Sequence, residues 1–95
     1  MHIAEFQEMM KRLYGDRDKA RGVDGTYCWL LEEVTELGQE LKGADRSSTE
    51  KEFADVIAWL ASLANIMDVD LEKAVLSKYP DKCSKCHSSP CQCTI

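Results

Sequence analysis

Basic charge is scarce in this sequence. Twelve Lys and Arg stand against 17 Asp and Glu, giving a formal net charge of −5 and a pI near 4.9. A general nucleic-acid binder carries a basic stripe, so the balance argues against a polymer partner. It leaves a nucleotide ligand open, because a bound divalent cation reverses the local field. Met1 to Met10 is amphipathic and already contains Glu5 and Glu8, so it reads as neither a secretory leader nor a membrane span. A soluble, cytoplasmic protein is the expectation. No stretch reads as a convincing strand, and no internal repeat is visible. At 95 residues the chain is one domain at most, with too much surface for a large self-contained core, so a partner subunit or a structural staple is expected.

What the sequence does contain is helical periodicity. Ile3, Phe6, Met10 and Leu13 recur at helical spacing and predict a first helix over about Ile3 to Tyr14, stopped by Gly15. Gly15 to Gly25 reads as a charged loop; its Arg17, Lys19 and Arg21 can touch phosphates, though a solvated loop is the favoured reading. A second helix starts near Asp24 or Thr26 and ends at Gly43. Ser47, Ser48 and Thr49 introduce a third, which runs through Leu60, Leu63 and Met67 with Ala54, Ala58, Ala61 and Ala64 allowing close helix approach. Asp70 caps a fourth of about Leu71 to Tyr79, and Pro80 ends it. The fold class is therefore all-α, a four-helix module over residues 1–80 with a tail over 81–95. Cys28, alone on the second helix with no His nearby in sequence, reads as a small packing residue.

Two acidic clusters stand out. At about 100° per residue, Glu32, Glu33 and Glu36 share one side of the second helix, while Leu30, Leu31, Val34, Leu37 and Leu41 gather on the other and are expected to enter a core. On the third helix Glu52 falls inside the apolar arc with Val56, Leu60 and Leu63, and Asp55 lies near its edge. Buried carboxylates normally shift their pKa, pair, or hold a metal. The bland alternative for Glu52 is a capping box, Thr49-Glu50-Lys51-Glu52, with Ser47 and Glu50 offering the same one register earlier. If the two helices pack antiparallel across the Lys42 to Ser48 loop, the five carboxylates converge and require a cation. Oxygen-only ligands select Mg²⁺ or Mn²⁺. Such a site holds a phosphate chain through the metal and lowers the pKa of water, so hydrolysis of a phosphoanhydride follows. Trp29 projects with Glu32 and Glu36, and Trp59 with Asp55; either indole can stack on a base, although aromatics at helical spacing are more often core. Asn65 can read a base edge or simply bond to backbone, and Lys78 can neutralise phosphate charge.

Four of the five cysteines crowd the C-terminus: Cys83, Cys86, Cys91 and Cys93, with His87 among them. In a reducing compartment this clustering reads as tetrahedral Zn²⁺ before it reads as disulfides. Metal and thiol analysis separates the two.

Glu32-Glu33-Val34-Thr35-Glu36 followed by Glu52-Phe53-Ala54-Asp55 resembles the E-E-x-x-E and E-x-x-D signature of the MazG-like nucleotide pyrophosphohydrolases, in the all-α NTP pyrophosphatase superfamily. The resemblance extends through Leu13-Tyr14-Gly15-Asp16-Arg17-Asp18 to the helix begun by Asp70, about residues 3–80. It implies Mg²⁺-dependent cleavage between the α and β phosphates of an NTP or dNTP, as nucleotide-pool house-cleaning, and a homodimer or homotetramer. It also implies that Glu32, Glu33, Glu36, Glu52 and Asp55 bind the metal, with Glu33 chosen as the base for the attacking water. The end of the last helix departs from the pattern: Tyr79-Pro80-Asp81-Lys82 stands where many relatives place Asn and basic residues. Phosphoribosyl-ATP pyrophosphatase and a non-enzymatic zinc-bearing interaction module are the alternatives.

Overall fold

The computed structural model describes residues 1–43 and 45–94. Residue 44, in the expected Lys42 to Ser48 loop, and residue 95, at the end of the tail, lie outside the described residues. The described chain is all-helical, with α1 (Ile3–Glu40), α2 (Arg46–Ile66) and α3 (Leu71–Lys78) followed by an irregular tail. No helix among these residues is long and apolar enough to cross a membrane.

α1 consists of two helical arms that meet at a kink at Gly22, so the first two expected helices are present with shifted bounds. It runs through Gly15 and Gly25 and leaves helical geometry only at Gly22, with φ 85° and ψ 174°, a region open essentially to glycine alone. The expected stop at Gly15 and the loop from Gly15 to Gly25 are thereby corrected. A lone helical glycine costs roughly 1 kcal/mol, and side-chain pairing here offsets it. Arg21 Nη1 donates to Asp18 Oδ1 at 2.9 Å, and across the break to Thr26 Oγ1 at 3.3 Å. Gly25 makes room for this strap, since a Cβ there would stand 2.8 Å from Arg21 Cγ.

α2 runs antiparallel to both arms of α1. Its N-cap is Asp45, which accepts from the Ser47 amide at 3.1 Å and the Ser48 hydroxyl at 2.8 Å. Ser47, Ser48 and Thr49 lie inside the helix instead of introducing it, so neither expected capping box forms and Glu52 is not accounted for by capping. α3 is capped by Asp70 as expected, through the Lys73 amide at 3.0 Å. Gln7 ties the corner between α2 and α3 to the first arm of α1. It donates to Asn65 Oδ1 at 3.1 Å and Val69 O at 2.7 Å, and accepts from the Leu71 amide at 3.0 Å. Asn65 donates back to Gln7 O at 3.1 Å, the backbone bond that is one of its two expected uses.

The core of one chain is thin. Its buried apolar side chains are Met10, Ala61 and Ala64, accompanied by Asp18, Thr26 and Ser62. The expected burial of the apolar side of the second arm is corrected: Leu31 and Val34 are 47 % exposed and Leu41 62 %, while Leu30 and Leu37 are half-buried. The reason is positional. Among the described residues α2 is the main element packed on α1, and the side of this arm turned toward it carries the acids. Tyr27, Leu31, Val34 and Leu41 form one uncovered stripe, and Phe53, Ile57 and Leu60 form another along α2. Cys28 is likewise exposed, not packed.

Candidate functional site

The antiparallel pairing of α1 with α2 brings the two acidic clusters together. Glu33, Glu36 and Glu52 each place a carboxylate oxygen so that all three lie within 4.8 Å of one another. Glu33 Oε2 and Glu52 Oε2 are out of solvent and have no hydrogen-bond partner among the described residues. Two unpartnered buried carboxylate oxygens facing a third carboxylate are expensive for a protein alone. The electrostatics reflect this. Glu33 is pushed up to about 7, first by desolvation of its buried oxygen and then by the neighbouring charges of Glu36 and Asp55. Glu52 is also raised, first by desolvation, then by Glu36 and Asp55. A hard divalent cation fits this donor set, because it would supply the missing partner for each orphaned oxygen and cancel the repulsion.

The other expected ligands are placed differently. Asp55 lies close enough to raise both glutamates but stands at the edge of the cluster and is exposed. Glu32 is exposed on the outside of α1 and is not one of the three. Glu40, one turn beyond Glu36, adds to the charge felt by Glu52. Reading on from Glu33 and Glu36 at helical spacing would have picked it out.

Trp29 and Trp59 meet face to face, with ring centroids 5.6 Å apart and planes inclined by 11°. The Arg21 guanidinium carbon lies 4.6 Å from the Trp59 ring centre, a cation–π contact. This group borders a cavity of about 310 Å³ that Tyr14, Arg17, Asp18, Arg21, Asp55 and Trp59 help to line. The cavity therefore opens beside the acidic cluster, with Asp55 shared between them. Asp18 is 1 % exposed, and its Oδ2 has no partner among the described residues. Arg21 is named from the sequence as a candidate phosphate contact, but its pairing with Asp18 is missed there because the segment reads as a loop; the i, i+3 spacing was the available signal. Lys78 is not brought to the carboxylates within one chain. It sits in the last turn of α3, whose start bonds to Gln7 and Ala4, and its ammonium lies 5.6 Å from the Tyr79 ring centre.

The four tail cysteines form a second, separate group, with their sulfurs all within 4.8 Å of one another. Backbone amides act on two of them. The Gln92 N–H, then that of Ser88, lowers Cys86 to about 6, and the Cys86 and Lys85 amides lower Cys83.

Comparison with curated proteins gives no match. A family model of the MazG nucleotide pyrophosphohydrolase domain matches residues 22–87, more than half of the chain. The match begins at Gly22, later than the resemblance read over about residues 3–80, and continues past Pro80 through Cys83 and Cys86. With both halves of its acidic signature inside that match and meeting at one place, the chain belongs to the MazG nucleotide pyrophosphohydrolase domain family.

Proposed function

We propose that this protein is a Mg²⁺-dependent pyrophosphohydrolase that converts an NTP or dNTP to its monophosphate and pyrophosphate, in the manner of a nucleotide-pool house-cleaning enzyme. The observation that carries this reading is the pair of buried, unpartnered oxygens on Glu33 and Glu52, facing Glu36 within 4.8 Å. Glu33, Glu36 and Glu52 would hold Mg²⁺ or Mn²⁺, with Asp55 at the edge. Glu32, exposed and outside the group of three, would supply no ligand atom within one chain. When bound, the ion supplies neutralisation of the triphosphate charge and acidification of water.

The chain's own residues then divide the work. Glu33 accepts the proton of the water that attacks the α-phosphorus, while the bond to the oxygen bridging α and β breaks and pyrophosphate leaves. Arg17, on the wall of the adjoining cavity, faces the phosphates. Trp29, 47 % exposed with one face against Trp59, offers its other face to a base. Arg21 is engaged by Asp18, Thr26 and Trp59 and positions the indoles. The uncovered stripes along Tyr27 to Leu41 and Phe53 to Leu60 support a homodimer or homotetramer, since exposed apolar stripes of this length mark interfaces.

A panel of nucleoside triphosphates, with phosphoribosyl-ATP included to separate that alternative, tests the reading. Pyrophosphate release should require Mg²⁺ or Mn²⁺ and be lost in Glu36→Gln and Asp55→Asn with helix content unchanged. No release from any substrate with either metal would remove the enzyme reading.

A further inference from the structure

The segment from Asp81 to Thr94 has no Val, Leu, Ile, Met, Phe, Tyr or Trp and no helix or strand. Ordering the backbone costs about 1–2 kcal/mol per residue, and no apolar burial within the segment offsets that. The segment nevertheless folds back on itself. The Cys83 amide donates to Ser88 O at 3.0 Å, and the His87 amide donates to Cys83 O at 3.0 Å. Something other than a hydrophobic core must hold it.

The sulfurs supply the answer. Cys83 Sγ and Cys93 Sγ are 3.7 Å apart, and all four sulfurs fit within 4.8 Å. A tetrahedron with Zn–S bonds of about 2.3 Å has S···S edges of about 3.8 Å, whereas a disulfide brings sulfurs to about 2.05 Å. Three amides also point at sulfur: Lys85 N–H to Cys83 at 3.4 Å, Gln92 N–H to Cys86 at 3.3 Å and Cys93 N–H to Cys91 at 3.3 Å. Outer-shell donors of this kind orient and stabilise metal-bound thiolates. His87 plays a different part. Its backbone φ is 61°, the left-handed region that favours glycine, so it turns the chain after Cys86 and is not needed to complete a set of four ligands.

We propose that Cys83, Cys86, Cys91 and Cys93 close around one Zn²⁺ per chain as a structural tetrahedral site, and that this ion orders the segment from Asp81 to Thr94. Four sulfur ligands leave no open position for a substrate or water, which separates the site from catalysis. Soft thiolates and hard carboxylates also select different ions, so the tail and the acidic cluster do not compete for Mg²⁺.

The test uses the full chain, purified without chelator and, in parallel, reduced and reconstituted with Zn²⁺. Elemental analysis should find about one zinc per chain. In the native protein the Cys28 thiol should react while the other four stay protected, and all five should react after chelation in denaturant. Lys82 and Lys85 are already exposed, and chelation should loosen the backbone around them so that trypsin cleaves there, without loss of helix. Cys91→Ser should behave like the chelated protein, and His87→Gly should retain full zinc. Three results would overturn the proposal: reconstituted protein that holds no stoichiometric zinc, iron in its place, or loss of the metal in His87→Gly. A cystine pair among the four in the untreated protein, with no zinc bound, would do the same. None of these readouts depends on pyrophosphate release.

Discussion

Glu33, Glu36 and Glu52 are gathered by the packing of α1 on α2, whereas Cys83, Cys86, Cys91 and Cys93 are gathered inside one short irregular segment. In the first case the helices form by their own periodicity and force charges together. Glu33 at about 7 is the sign of what that costs. In the second case no regular structure exists to do the forcing, and the sulfurs with their amide donors are the main organisation present. A cation in the acidic cluster therefore relieves a fold that exists without it; a cation in the tail creates the order it sits in. Removing ligands should have opposite consequences in the two places.

The largest effect is expected at the centre of the acidic cluster. Glu33→Gln should lower turnover by about 100-fold or more while leaving the metal-free fold intact. The pH dependence of its melting should change as well. Because the folded-state pKa of Glu33 lies above its ordinary 4.5, the folded chain binds the extra proton between those values. Its contribution to stability is full below about 4.5 and is lost as pH rises through about 7. Metal-free Glu33→Gln should lack that loss. Thermal melts across the window check it, and a variant that unfolds at every pH with turnover preserved would break the contrast between the two regions.

A smaller effect sharpens the contrast from the backbone side. Gly22→Ala places a Cβ at φ 85° and ψ 174°, at a cost of about 1–3 kcal/mol. It should lower the melting temperature and alter the stacked-indole fluorescence of Trp29 and Trp59, because the Arg21 strap crosses this break. Zinc content of the tail should not change. Loss of zinc in this variant would mean that the tail leans on the helices after all.

Much of this was legible in the sequence, and the exceptions share a cause. The periodicity of α2 and α3, the Asp70 cap and the convergence of Glu33, Glu36 and Glu52 follow from local spacing and one antiparallel turn. The extent of the two arms of α1, which meet at Gly22, does not, because Gly15 and Gly25 look like stops until the Asp18, Arg21 and Thr26 contacts that stabilise the turn are known. The orientation of the second arm was hidden for a similar reason. Hydrophobic pattern alone turns Leu31 and Val34 inward, yet with α2 as the neighbour inside one chain, the acids face inward and those side chains stay outside. Periodicity identifies a face without saying which neighbour covers it.

The central claim is that the Glu33, Glu36 and Glu52 carboxylates exchange a proton for a divalent cation. Titration calorimetry of the metal-free protein with Mg²⁺ or Mn²⁺, run in buffers of different ionisation enthalpy, counts protons released per ion bound. About one proton per ion at pH 6, falling toward zero by about pH 8.5 and absent in Glu33→Gln, is the expected result. Binding without proton release at pH 6, or equal binding by the Gln variant, would contradict it.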